Sequence, residues 1–226
     1  MSERLIKSKE RVKEHGEVFT PSWMVEDMLD LVKPETEDIY KTFLEPAAGD
    51  GNFLVAILKR KLESIKQNYD KRYWQTKSLF ALASIYGIEI QKDNLKEARA
   101  SMLDVIITFH IEAGNKADTR SPLFKSANYI IHQNIVWGDT LKKCRPDGEE
   151  IIFNEWRRVT GSAVQVERIP FTFASLFSEN ESNDNQLVSR RYHQLSLFSD
   201  EDLEPENTPQ KYKIIDIKYV WKEELQ

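Results

Sequence analysis

Three carboxylates and two glycines carry the chemistry that this chain can offer. Glu45 closes the apolar run Phe43-Leu44 and leads into Pro-Ala-Ala-Gly-Asp-Gly, which sets Gly49 and Gly51 just ahead of a helical pattern. Glu89 lies near the end of a second apolar run, Ser84-Ile-Tyr-Gly-Ile-Glu-Ile90, and Asp139 follows a third, in Gly138-Asp139-Thr140-Leu141. Glycines remove side chains where a backbone must approach a ligand. A carboxylate in the place of Glu89 can accept both hydroxyls of a ribose, as its counterpart does in dinucleotide folds. Asp139 can accept from an adenine amino group, and Glu45 with the glycine turn suits a cationic remainder. A ligand with an adenosine and a positive amino-acid arm fits all three. A phosphate loop would need a Gly-rich turn ending in Lys-Ser or Lys-Thr, which is absent. Taken singly, each feature has a plainer reading: Glu45 and Glu89 as solvated strand ends, the glycines as an ordinary turn, Asp139 as a turn residue after Gly138.

The acids converge only if three strands lie parallel and side by side, and the pattern around them predicts that. Thr42–Glu45, Ser84–Ile90 and Tyr129–Trp137 read as strands. Between them, about Asp50–Gln67 reads as a helix burying Phe53, Leu54, Ile57 and Leu58, residues 75–83 as a second, and a third runs from a cap at Asp93 to about Glu112. Strand, helix, strand, helix, strand is the start of a doubly wound α/β sheet, whose ligands bind beyond the carboxyl ends of the strands. Upstream, residues 3–15 alternate charges and read as a short helix or a loose arm, and Gly16–Pro21 as a turn. Ser22 is expected to cap a helix with Val25, Met28, Leu29 and Val32 on one face, ended by Pro34. Downstream, Ile151–Val159 and Val164–Phe173 are strand-like with no helix between them. Lys213–Trp221 alternates Ile215, Ile217, Tyr219 and Trp221 as a strand would.

Composition narrows the class. The single Cys144 excludes an intramolecular disulfide, and four scattered histidines give no metal-ligand spacing, so no metal is expected. The charged N-terminus does not read as a signal peptide and no apolar run approaches membrane length, so the expected location is cytoplasmic, with no membrane partner. The net charge of −5 is concentrated at the end: residues 179–206 carry −6 and residues 207–226 carry +1, leaving the first 178 residues neutral. The expected organisation is a charged arm (1–15), a ligand-binding domain (16–178), a disordered acidic linker (179–210) and a short terminal strand (211–226).

With these motifs in order, the chain resembles the amino-terminal half of DNA N6-adenine methyltransferases that use S-adenosylmethionine. Gly16–Pro21 resembles the family's Thr-Pro segment, which closes over the methionine part of the cofactor. Phe43–Leu54 resembles its first cofactor motif, Gly87–Ile90 the second, which holds the ribose, and Gly138–Leu141 the third, which reads the adenine. The resemblance implies a Rossmann-like class I methyltransferase fold with cofactor contacts from Thr20, Glu45, Ala47, Gly49, Gly51, Phe53, Glu89, Ile90 and Asp139. It also implies direct in-line methyl transfer to adenine N6 and a place as the modification component of a restriction–modification or phage-defence system. A small-molecule or protein methyltransferase is a weaker fit to Glu-Pro-Ala-Ala-Gly-Asp-Gly with an upstream Thr-Pro.

One part of the family pattern is not found. The motif that grips a flipped adenine joins Asn or Asp to two prolines and an aromatic residue. None of the eight prolines here adjoins another, and Ile169-Pro170-Phe171 offers no acceptor side chain. No catalytic residue is therefore assigned. The sheet is expected to be incomplete, with an apolar edge and face exposed. Two readings follow: a cofactor-binding half whose partner chain, a complementary methyltransferase or specificity subunit, supplies catalysis and contacts double-stranded DNA, or a noncatalytic relative. In the acidic linker, Gln194-Leu195-Ser196-Leu197-Phe198 resembles the peptide by which bacterial proteins dock on the sliding clamp, with Gln194, Leu195, Leu197 and Phe198 as contacts. The alternative is a fragment that packs on the sheet.

Overall fold

The structure, a computed structural model, describes residues 5–116, 118–177 and 212–222. The linker and its Gln194–Phe198 motif lie outside the described residues. In chain order the elements are α1 (Lys9–His15), α2 (Ser22–Asp30), α3 (Lys33–Glu37), β1 (Phe43–Glu45), α4 (Asn52–Asn68), α5 (Trp74–Ala83), β2 (Ile85–Glu89), α6 (Lys92–Glu112), α7 (Pro122–Asn134), β3 (Ile135–Trp137), β4 (Ile152–Arg158), β5 (Gln165–Thr172) and β6 (Ile215–Asp216).

β1, β2 and β3 form a parallel sheet in that order, with β2 central. The register sets Glu45 opposite Gly87 and Glu89 opposite Trp137. All five residues of β2 are buried, as a central parallel strand covered on both faces requires. On one face, α4 packs through Leu54, Leu58 and Ile65, with Leu79 and Leu82 of α5 and Met102 and Ile106 of α6 in the same core. Gly87 is where α4 comes closest: a Cβ there would lie 3.1 Å from a Leu54 methyl. The helices and parallel sheet are those of an α/β fold.

The other face is closed from within the chain, contrary to the expected exposed face. β4, β5 and β6 form a separate antiparallel sheet. The Tyr86 ring meets Phe153 edge to face at 5.4 Å, and its hydroxyl donates to the Asn154 carbonyl at 2.7 Å. Ile151 presses on Gly138 so closely that a Cβ there would lie 2.5 Å from the Ile151 Cδ1. Tyr86, Ile88, Ile151 and Phe153 are buried as a result. β1 remains an edge strand with Leu44 exposed.

Several local expectations are corrected. Tyr129–Asn134 is the end of a helix, and only Ile135–Trp137 is strand. Ser121 accepts from the Phe124 amide and Pro122 stands in the first turn, two helix-start signals that outweigh the β-branched Ile130-Ile131 pair. Residues 217–222 form a 3-10 helix after the two-residue β6. Its three-residue period buries Ile217 and Val220 on one side, a pattern that the alternation of Ile217, Tyr219 and Trp221 concealed. Pro21, not Ser22, occupies the cap of α2, and Pro34 stands in the first turn of α3 instead of ending a helix. Of the four apolar residues expected on one face of α2, Val25 and Leu29 are buried while Met28 and Val32 are exposed. Gln91 precedes α6, which leaves Asp93 in its first turn, paired to Lys7 and Arg11.

Candidate functional site

The turns that follow β1 and β2 and the strap residues Gly16–Thr20 enclose the candidate site. After β1 the chain turns at once: Ala48 N–H donates to the Ile88 carbonyl at 2.9 Å, which hooks the loop onto β2. Gly49 and Gly51 have φ of +56° and +99°, a region that favours glycine. Gly51 also lets α4 start against α6, since a Cβ would stand 2.9 Å from the Ala98 Cα. Glu89 locks this loop. Its Oε2 accepts from the Gly49 amide and its Oε1 from the Gln91 amide, each at 2.7 Å.

The strap forms the opposite wall. Phe19 is buried, with its ring 3.4 Å from where a Cβ of Gly49 would lie, and its amide donates to the Leu5 carbonyl at 2.8 Å. Asn52, at the start of α4, donates to the Thr20 carbonyl at 3.2 Å. Between strap and loop lies a cavity of about 220 Å³. Of the residues assigned from the sequence, Thr20, Ala47, Gly49, Phe53, Glu89 and Ile90 line it; Gly51, Glu45 and Asp139 do not. Glu45 accepts from the Ala47 amide at 3.1 Å. Asp139 accepts from the Leu141 and Lys142 amides at 3.0 and 3.1 Å, so its carboxylate caps its own turn. That turn is nonetheless tied to the first: the Thr140 hydroxyl donates to the Pro46 carbonyl.

Sequence reasoning missed several lining residues. Glu17 belongs to the strap, Asp50 to the glycine loop and Asn94 to the first turn of α6. Position gave the available signal: Glu17 lies within the Gly16–Pro21 motif, and Asn94 follows Glu89 by little more than one helical turn. Glu17, Asp50 and Glu89 give the wall three acids, and among the described residues no Lys, Arg or His lines the cavity. Burial raises the pKa of Glu89 above its ordinary value, opposed by hydrogen bonds from the Gln91 and Gly49 amides and from Asn94. Burial likewise raises Asp50 and Glu45. Such a wall repels phosphates and favours a ligand that brings hydrogen-bond donors or positive charge.

Among the described residues no group of three or more His, Cys, Asp or Glu side chains is placed to hold a metal ion, and no helix is long and apolar enough to cross a membrane. Residues 3–163 match the family model described as N-6 DNA Methylase. No curated protein and no solved structure matches the chain significantly.

Proposed function

Since the chain belongs to the N-6 DNA methylase family, we propose that it is the S-adenosylmethionine-binding component of a DNA adenine-N6 methyltransferase. The observation that carries this reading is the cavity between the strap and the glycine loop, walled by acids and free of cationic side chains. The residues fit the cofactor: Glu89 stands at the end of β2 for the ribose, and buried acceptors of the wall residues Glu17 and Asn94 have no partner among the described residues. When bound, S-adenosylmethionine supplies an activated methyl group. The chain's own part is to hold it. Glu89 fixes the loop through Gly49, Phe19 and Thr20 cover the site from the strap, and Phe53 and Ile90 contribute apolar surface. Glu45 and Gly51 stand behind this wall and shape the glycine turn that forms part of it, and Asp139 caps a neighbouring turn tied to it through Thr140 and Pro46.

The adenine-gripping motif is not among these 226 residues, so catalysis needs another polypeptide segment, most simply a complementary methyltransferase or specificity subunit that also contacts double-stranded DNA. In this reading the chain serves a restriction–modification or phage-defence system. A second reading is favoured by the antiparallel sheet: a chain that closes one face of its own parallel sheet can also be a noncatalytic binding protein, recruited through a partner such as the sliding clamp. Calorimetric titration of the chain with S-adenosylmethionine tests the shared premise. One site per chain is expected, weakened severely by Glu89→Ala; no binding overturns the proposal. Methylation of DNA by the chain with co-expressed products of adjacent reading frames, but not by the chain alone, separates the first reading from the second.

A further inference from the structure

Two acceptors on the wall of the cavity are buried without a donor. The Glu17 side chain is 8 % exposed, and Asn94 is 1 % exposed. Glu17 Oε2 is fully engaged: it accepts from Arg11 Nε at 3.0 Å, from Arg11 Nη2, and from Asn94 Nδ2 at 2.9 Å. Its other oxygen, Oε1, has no partner among the described residues, and neither has Asn94 Oδ1. The orientation of the Asn94 amide is dictated by its neighbours. It faces the carboxylates of both Glu17 and Glu89, so the NH₂ end must point to them and the carbonyl away. Buried acceptors are costly to leave unmade, and two of them on hydrogen-bonded neighbours that line one cavity call for donors that arrive with the ligand.

The place of these atoms selects the donors. Asn94 is in the first turn after β2 and bonds Glu89, the residue at the end of that strand, and Glu17 is held against Asn94. Glu45, which ends β1, does not line the cavity. We propose that Glu17 Oε1 and Asn94 Oδ1 accept hydrogen bonds from the ribose hydroxyls of the bound ligand beside Glu89, and that they set a preference for a ribonucleoside over its deoxy counterpart. This rests on the reading that the cavity holds S-adenosylmethionine. Arg11 is the positioning residue. It bonds Glu17 with one edge of its guanidinium while Nη1 reaches Asp93 Oδ2 at 2.6 Å, and Lys7 joins Asp93 and Glu97 at 3.1 and 2.7 Å. The α1 arm thus fixes the rotamer of Glu17 from outside the cavity.

The test uses the full chain and S-adenosylhomocysteine, which binds without reacting, beside its 2′-deoxy and 3′-deoxy counterparts. For the wild type the ribose ligand is expected to bind about tenfold or more tightly than at least one deoxy ligand, the loss for a hydrogen bond to a charged or buried acceptor. In Glu17→Ala and Asn94→Ala the ribose ligand weakens while that deoxy ligand does not, so the ratio collapses towards one. Should Glu17→Ala fail to fold because Arg11 loses its partner, Arg11→Ala/Glu17→Ala removes both charges and carries the same expectation. An equal loss for all ligands would assign the two residues a structural role and overturn the inference, as would an unchanged ratio. No binding by the wild type would overturn the functional reading and this one with it.

Discussion

At the scale of single residues, the site depends on what is absent at Gly51 as much as on what is present at Glu89. Gly51 combines a φ of +99° with a backbone approach that leaves no room for a side chain: an added Cβ would stand 2.9 Å from the Ala98 Cα and 3.0 Å from its Cβ. The residue is outside the cavity, yet it sets where α4 begins and so where Asn52 and Phe53 stand on the cavity wall. Gly51→Ala therefore adds backbone strain to overpacking, each worth about 1–3 kcal/mol, and a loss of about 2–6 kcal/mol is expected in urea unfolding. Pairing it with Ala98→Gly removes the methyl group at position 98 but leaves both the close backbone of α6 and the unfavourable dihedral, so recovery should be partial. A loss below about 0.5 kcal/mol would show that the loop can shift, and the glycine would then be a turn residue only.

At the scale of elements, α7 shows what the sequence conveyed and what it concealed. The ends of β1 and β2 were legible because short apolar runs ending in an acid, Glu45 and Glu89, are a local signal, and the strands pair in parallel with Glu45 opposite Gly87 and Glu89 opposite Trp137, while Asp139 lies two residues beyond the end of β3. Tyr129–Asn134 was misread because a β-branched and aromatic run has the same composition in a buried helix and a buried strand. The decision lay outside the run, at Ser121 and Pro122, and in the spacing of Ala127, Ile130, Ile131 and Asn134, all buried on one face. Asn134 then ends the helix with a tertiary role no periodicity reveals: its amide donates to the Ala83 and Ile85 carbonyls, each at 3.1 Å, and its oxygen accepts from the Trp156 indole at 2.8 Å. Glu17 and Asn94 escaped notice for a similar reason, since their importance comes from packing and not from spacing. If the cap sets the start of α7, Ser121→Ala should cost about 1 kcal/mol of stability in denaturant unfolding. No measurable change would mean that Pro122 alone is sufficient.

At the scale of the whole molecule, two buried bases tie stability to pH in the same direction. Lys61 is fully buried and donates to the Asp38 and Lys41 carbonyls at 2.6 and 2.7 Å, clasping the segment that leads into β1; burial lowers its pKa to about 7. His110 of α6 is also buried, its Nε2 2.9 Å from the Ser78 hydroxyl of α5, and burial lowers it to about 4. That hydroxyl already donates to the Gln75 carbonyl, so it accepts here and the ring proton sits on Nε2. Both groups are less protonated in the folded chain than in the unfolded one. Where the unfolded state binds more protons, stability rises with pH. His110 therefore makes the fold less stable as pH falls from about 6.5 to 4, a loss of about 3 kcal/mol at the lower limit. Lys61 makes it more stable as pH rises from about 7 to 10.5. Asp93, held below the usual carboxylate range by Arg11, adds to the acid loss at still lower pH. Unfolding free energies measured across this range should thus climb through two separate windows. His110→Asn should flatten the first and leave the second. Lys61→Met, similar in length and uncharged, should flatten the second and leave the first, at the cost of the Lys61 hydrogen bonds to two carbonyls, of which that of Asp38 keeps the Lys41 amide at 3.2 Å. A slope that survived in either variant would place the titrating group elsewhere in the core.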